Sequence, residues 1–462
     1  MAYFTVGLIT MMALILLLLP IINQYLSCPE IRSCDANDRF SCSNNPPQNC
    51  SFQLVETIPE NLTYPSGSIE SMSTFDAWMF LLKNAKKSVD LISFYWLMMD
   101  RPETNSSLDI QGKTVFNELL NVIKRGVKLR IIVNKPNTTN PDLLALSQAG
   151  AEVLNLEAEK LLKSGVLHTK LWLVDGQMLY LGSANMDWRS LTQVKELGIL
   201  IKSCDLLLSD ASKLVDLYNY VASRNEVPRH WPCKFNTRYN ADNPMQLNVQ
   251  DQATSVFLSS SPPFFCPSGR TSDINAILNV IHSAKQFVHI SVMDYMPYTE
   301  FAKPHLFWPV IDDALRRVAV EKKIEVKILT SLWKHTKPDM LQYMKSLASL
   351  NGLSFTKPET SLQAKLFCVP VVMPYQQTIP YARVNHNKYM VTDQTAYIGT
   401  SNWSGDYFIN TAGVAIIIGE PTPSGEDHHH HQAIFERDWY SNYSIGVWNV
   451  DVNNFTISCN SA

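Results

Sequence analysis

Hydrophobic residues fall along this chain in one long uncharged run, interrupted by Thr5, Thr10 and Pro20, and then in two recurring rhythms. Residues 4–22 carry no charge and are about as long as a bilayer-spanning helix. Further on, Phe116, Leu119, Leu120 and Ile123 recur at helical spacing, whereas Leu129-Arg130-Ile131-Ile132-Val133 is a β-branched strand run. The order then repeats at an offset of about 200 residues: 84–93 is echoed by 283–292, and 127–133 by 324–330. Each half reads helix, strand, helix, strand and then a further strand. That alternation predicts an α/β protein made of two repeats, each a mixed β-sheet flanked by helices, packed about a pseudo-two-fold axis. The corresponding divisions are a short tail (1–3), the apolar segment (4–22), a Cys-rich neck (23–64), a first half (65–255), a Ser/Pro-rich linker (256–268) and a second half (269–462).

The final strand of each half carries the same polar pattern. His168-Thr169-Lys170 is followed by Asp175 and Gly182-Ser183-Ala184-Asn185; His386-Asn387-Lys388 is followed by Asp393 and Gly399-Thr400-Ser401-Asn402. A His and a Lys two apart on a strand point to one face and converge on one ligand. The imidazole attacks phosphorus or moves a proton, the ammonium holds non-bridging phosphate oxygens, and the downstream amide adds a neutral donor. Phosphodiester exchange needs two such histidines, one neutral to attack and one protonated to release the leaving oxygen. This arrangement calls for no metal or other cofactor. Asp175 and Asp393, five residues after the lysines, lie on the opposite strand face and are expected to buttress the motif strand. Ser183 and Thr400 either donate to phosphate or close the turn.

With both motifs in view, the chain resembles the phospholipase D superfamily, whose signature is a twice-repeated H-x-K-x4-D-x6-G-S-x-N. The first copy fits throughout; the second is one residue shorter between Asp393 and Gly399 and reads Gly-Thr-Ser-Asn. The wording around both copies is similar to the animal branch containing the third and fourth phospholipase D family members, from about Pro65 onward. That resemblance implies 5′ to 3′ exonuclease activity on single-stranded DNA or RNA in lysosomes, through a phosphohistidine. It also implies His168 as nucleophile, His386 as proton donor, and an acidic or amide residue orienting each catalytic imidazole. Glu196 fits that last role; a solvated carboxylate paired with Lys195 or Arg189 is the alternative. The matching second-half neighbourhood has no acid, and Asn410 is the substitute there. The partners implied are a nucleic-acid strand with a free 5′ end, with phospholipid as the rival substrate of the same residues; self-association as a homodimer is compatible with them. A non-catalytic glycoprotein is the remaining reading, and both motifs being intact argues against it.

Composition sets limits on the partner and the compartment. A net charge of −3 gives no bulk attraction to nucleic acid, so a polyanion must be gripped locally, by Lys170, Lys388 or Arg189. Residues 4–22 read as an uncleaved signal-anchor in preference to a cleaved signal peptide, because no small-x-small site follows. N-x-S/T sequons begin at Asn49, Asn61, Asn105, Asn137, Asn442 and Asn454. Asn402 also fits but should stay unmodified within its motif. Cys28, Cys34, Cys42 and Cys50 crowd the neck at spacings unlike those of zinc sites, which favours disulfides within it or to Cys204 or Cys233. Nine cysteines leave at least one thiol over. Together these features place the catalytic part in the endoplasmic reticulum-to-lysosome lumen, on a single-pass membrane anchor.

Aromatic residues near the motifs, namely Tyr95, Trp188, Tyr295, Trp403 and also Tyr407, are candidates to stack terminal bases, against the usual fate of such rings in an α/β core. His428 to His431 is expected on a surface loop preceding a helix from about Gln432, with no metal role.

Overall fold

The computed structural model describes residues 49–99, 107–135, 140–354, 358–419 and 426–451. The tail, the apolar segment 4–22, Cys28, Cys34, Cys42, Cys459 and the sequons at Asn105, Asn137 and Asn454 lie outside the described residues. Among the described residues no helix is long and apolar enough to cross a membrane.

The first half contributes β1 (Asn49–Thr57), β2 (Ser88–Ser93), β3 (Lys128–Asn134), β4 (Glu152–Leu156), β5 (Leu171–Val174), β6 (Met178–Gly182) and β7 (Glu196–Lys202). They lie side by side in the order β1-β7-β6-β5-β2-β3-β4, with β2, β3 and β4 parallel and the other neighbours antiparallel. The second half has β8 (Met245–Val249), β9 (Gln252–Ser261), β10 (Phe287–Val292), β11 (Glu325–Ser331), β12 (Leu362–Phe367), β13 (Lys388–Thr392), β14 (Thr395–Gly399) and β15 (Gly413–Gly419). Its order β9-β15-β14-β13-β10-β11-β12 repeats the first half strand for strand. The duplication read from the sequence is therefore a duplication of topology.

Two expected boundaries are corrected. Residues 256–261, read as linker, belong to β9, which pairs with β15 over seven register positions from Ser255 to Ser261. Its Ser-rich end resembles a loop in composition, but Ser259, Ser260 and Ser261 are buried. The chain leaves the sheet only at Pro262, which lacks the N–H a ladder needs. The end of the presumed neck is likewise a strand: β1 is the first-half counterpart of β9, and β8 joins the two sheets by pairing with both.

Both faces of each sheet are covered, so the motif strands read as near-continuous apolar runs. On β5, Leu171 and Leu173 enter a core shared by both halves, while Trp172 and Val174 pack outward against α1 (Thr74–Asn84) and α2 (Ile110–Lys124). In the second half Tyr389 and Val391 enter the shared core and Met390 faces outward toward α4 (Asp273–Ser283) and α5 (Val310–Glu321). The shared core is closed by α3 (Asp205–Arg224) and α6 (Glu426–Trp439). The expectation of a loop over His428 to His431 is thus corrected, since α6 already begins at Glu426.

Cys50 on β1 is bonded to Cys204 just before α3, one of the two partners expected for the neck cysteines; Cys233 and Cys368 are also disulfide-bonded, and Cys266 is a free thiol. The Cys50–Cys204 link closes 154 residues of chain. Replacing both by Ser is expected to destabilise the fold by roughly 2–5 kcal/mol, seen as an earlier thermal transition; an unchanged transition would show that packing alone holds β1. Of the described sequons, Asn49, Asn61 and Asn442 are exposed, whereas Asn402 is buried.

Candidate active site

The two motifs meet because the segment that leads into each histidine crosses to the other half. His168 N–H donates to the Ala412 carbonyl (2.8 Å), just ahead of β15, and His386 N–H donates to the Lys195 carbonyl (2.8 Å), just ahead of β7. Single β-bridges, Leu167 to Ala412 and Lys195 to Asn385, fix the same reciprocal exchange. Both histidines consequently line one cavity of about 740 Å³, together with Asn185, Asn402 and Glu196.

The motif glycines permit this close weave. Gly182 faces Gly198 across the β6–β7 ladder, and a Cβ on Gly182 would stand 2.7 Å from the Gly198 Cα and 2.8 Å from the Tyr180 hydroxyl. Gly399 is crowded in the same way by Tyr397.

The two imidazoles are held differently. His168 Nδ1 lies 2.7 Å from the Thr400 carbonyl, a group that only accepts, so Nδ1 carries the proton and Nε2 presents its lone pair. His386 Nδ1 lies 2.7 Å from Glu196 Oε2. Glu196 is itself fixed by the hydroxyls of Ser183 (2.5 Å) and Ser190 (2.9 Å). Glu196 thus orients an imidazole, and the one it reaches belongs to the other half. Asn410 does not act as the second orienter: its amide donates to Ser164, and a backbone carbonyl supports His168 instead.

Electrostatics sharpen the difference. Burial, and then the charges of Lys170, Lys388 and His386, hold His168 well below the usual histidine range, so it stays neutral. Burial brings His386 down to about 4, with the Glu196 carboxylate pulling in the opposite direction. Burial keeps Glu196 from falling further, but His386 and its hydrogen bond still lower it below an ordinary carboxylate, and it stays charged.

Each lysine is tethered to its own motif, Lys170 Nζ to the His168 carbonyl and Lys388 Nζ to the His386 carbonyl, both at 2.7 Å. Burial lowers both amines, Lys388 to about 7, and Lys170 is lowered further by Lys388. The charge of Lys388 acts on Lys170 and both act on His168, so the two amines lie close enough to share an anion beside the histidines, behind the residues that line the cavity. An oxyanion bound there raises their proton affinity, so tungstate binding at pH 8 is expected to take up protons. Titration calorimetry in buffers of different ionisation enthalpy checks this; heats independent of the buffer at pH 8 would refute it.

Asp175 and Asp393 take the buttressing role. Asp175 accepts from the backbone N–H groups of Lys86 (2.8 Å), Lys87 (2.7 Å) and Ser88 (2.8 Å) at the start of β2. Asp393 does the same for Lys285 and Gln286 (both 2.9 Å) at the start of β10. Neither lines the cavity.

A family model described as PLD3/4, PLD-like domain matches residues 66–371. The chain belongs to the PLD3/4 family. It is 47% identical over 403 residues to "5'-3' exonuclease PLD3" of Xenopus laevis, covering 86% of this chain and 81% of that protein. Against "5'-3' exonuclease PLD4" of Mus musculus the identity is 40% over 409 residues, 86% of this chain and 80% of the other. Among solved structures, phosphatidylserine synthase from Haemophilus influenzae Rd KW20 superposes with a TM-score of 0.53 at 11% identity, over 80% of this chain and 85% of that one, a likeness of fold.

Several expected contacts of this PLD3/4-family site are redistributed. Tyr95 lines the cavity, its hydroxyl donating to Asp187 (2.8 Å). Trp188, Tyr295 and Trp403 do not line it and are buried, with Tyr295 donating to Asp312 inside the second-half core. Trp188 packs so tightly on α2 that a Cβ on Gly112 would approach its own Cβ to 2.5 Å. Ser183 and Thr400 are turn-closing and positioning groups: Ser183 holds Glu196, and the Thr400 hydroxyl accepts from Val414 N–H (3.1 Å) while its carbonyl holds His168. Arg189 reaches the cavity, but Asp187 neutralises it at 2.5 Å.

Tyr407, one of the candidate stacking rings, lines the cavity with its ring 5.0 Å from that of His168, and Phe94, which was not foreseen, flanks His168 at 5.2 Å. Asp294, Phe301, Trp333, His335, Lys337 and Tyr381 are among the other residues of the cavity walls. Phe94, directly after β2, and Asp294, two residues past the end of β10, were accessible from the repeat, since the ends of equivalent strands converge on the site. The loop residues carry no periodic signal.

Proposed function

We propose that this protein is a phosphodiesterase that removes nucleotides from the 5′ end of single-stranded DNA or RNA, releasing 3′-mononucleotides without a metal. The observation that carries the chemistry is the pair of histidines in one cavity, each with Nδ1 engaged and Nε2 available. The substrate and polarity are supported by the names of the relatives, 5'-3' exonucleases at 40–47% identity.

In this reading the lone pair of His168 Nε2 attacks phosphorus and forms an N–P bond. The P–O5′ bond breaks, and the proton of cationic His386 passes to the departing 5′ oxygen. Lys170 and Lys388 balance the charge that grows on the equatorial oxygens. Water then attacks phosphorus on the leaving side and gives its proton to His386. The N–P bond breaks, and both histidines return to their starting states. Residues 4–22, the sequons and the disulfides support an anchored enzyme whose catalytic part faces an acidic lumen, where His386 is more readily protonated.

The test gives purified protein a 5′-hydroxyl single-stranded oligonucleotide and, separately, phosphatidylcholine and phosphatidylglycerol vesicles, at about pH 5 with chelator. Stepwise release of 3′-mononucleotides supports the proposal. Turnover of lipid with an intact oligonucleotide overturns the substrate, and loss of activity to chelator overturns the two-histidine chemistry.

A further inference from the structure

Three rings climb out of the cavity on the side of His386. Trp333 lies 7% exposed at the inner end, beside Val194 and Val384, which stand two residues before Glu196 and His386. His335 packs edge-on against Trp333 at 4.8 Å between centroids, and Tyr381 stacks flat on His335 at 4.9 Å and 16°. Tyr381 is 62% exposed although its neighbours Ala382 and Arg383 are only 7% and 6% exposed.

The outermost ring is held there by strained and anchored backbone. Tyr381 and Arg383 have φ of 54° and 56°, the left-handed region that non-glycine residues avoid. The buried guanidinium of Arg383 donates to the Pro370 and Glu60 carbonyls, and its N–H donates to the Gln193 carbonyl (3.0 Å). Arg189 holds the Pro380 carbonyl from the first half. The inner ring is fixed as well, because Trp333 N–H donates to Thr336 Oγ1 (2.9 Å), which in turn donates to the Ser331 carbonyl (3.1 Å). The Trp333 Nε1 donor is buried and has no hydrogen-bond partner among the described residues. Strain that keeps a large aromatic ring in solvent is retained where the ring has a task.

We infer that Trp333, His335 and Tyr381 form a stacking ladder for the base of the second nucleotide, the one whose 5′ oxygen departs. This rests on the nuclease reading above. There the terminal nucleotide stays bonded to His168, flanked by Phe94, Tyr407 and Phe301, whose ring lies 6.1 Å from that of Tyr407. The leaving strand exits past His386, and the ladder begins at that wall. Every base has a π-face, so the ladder grips without reading sequence, as an enzyme that advances along a strand requires.

The test is a cycle of protein and substrate changes, read as kcat/KM for the first cleavage. One oligonucleotide is intact, one is abasic at position 2 and one is abasic at position 1. For the wild-type protein, loss of base 2 is expected to cost roughly tenfold or more. Tyr381→Asn, which tolerates the left-handed backbone, should cost about as much on the intact strand and add almost nothing on the strand abasic at position 2. Tyr381→Phe should restore the full sensitivity to base 2, because it keeps the ring. Losses that simply multiply, or coupling that follows base 1, overturn the ladder while leaving the nuclease reading intact. Wild-type protein that leaves the intact strand uncut overturns the nuclease reading, and the ladder with it.

Discussion

His386→Ala protein given a nucleoside 3′-(p-nitrophenyl phosphate) will release about one equivalent of p-nitrophenol per site and then stop, with the nucleotide phosphorus bonded to His168. The expectation follows from the unequal support of the two imidazoles. His168 donates through Nδ1 to the Thr400 carbonyl and keeps a lone pair on Nε2, so attack does not depend on His386. A nitrophenolate leaves without a proton, which removes the need for the acid in the first step. The second step still needs His386 to take a proton from water, so the covalent species accumulates. With an ordinary oligonucleotide both steps need the proton transfer, and turnover should fall at least 10²- to 10⁴-fold. Mass spectrometry of the quenched protein locates the adduct. A burst from His168→Ala protein with the label on His386 would reverse the roles assigned here.

Glu196→Gln should cost roughly 10²- to 10⁴-fold in kcat/KM at pH 5 and move the pH profile toward acid. The sign comes from the forces on His386. Burial lowers this group to about 4 and the Glu196 carboxylate opposes that fall, so removing the negative charge lowers it further. His386 acts as an acid only when protonated, and its protonated fraction falls roughly tenfold per pH unit above its pKa. For the wild-type protein kcat/KM should therefore decline from acidic toward neutral pH. In the variant the decline should begin at lower pH. Glutamine still accepts from Nδ1 and still meets Ser183 and Ser190, so the fold should persist and the loss should be kinetic. A profile unchanged in position, with only its height reduced, would mean that Glu196 sets geometry alone.

Much of this site was legible because duplication writes the same constraint twice. The His-Lys pairs lie at period-2 spacing, the first directly before β5 and the second running into β13 at Lys388, their aspartates lie outside the cavity lining, and their glycines sit where Tyr180 and Tyr397 crowd the ladder. Each follows from local backbone geometry. The linker was misread for a related reason: Ser259-Ser260-Ser261 has loop composition but takes its hydrogen bonds and burial from β15, more than 150 residues away in the chain. Trp188, Tyr295 and Trp403 illustrate the opposite error: Tyr295 and Trp403 pair with each other in a two-residue bridge and turn into the core, and Trp188 packs on α2, which neither position in the chain nor aromatic character decides.

The sequence by itself determined the repeated α/β topology, the pair of phosphate-handling motifs and the need for something to orient each histidine, because these rest on periodicity and side-chain chemistry. Tertiary structure alone decided who meets whom. Glu196 serves the histidine 190 residues beyond it, and His168 leans on a carbonyl 232 residues away. The reason is that the segments leading into the two motifs each make a single β-bridge to the other half. No local pattern encodes that crossing, and it turns two chemically identical histidines into one with a neutral partner and one with an anionic partner.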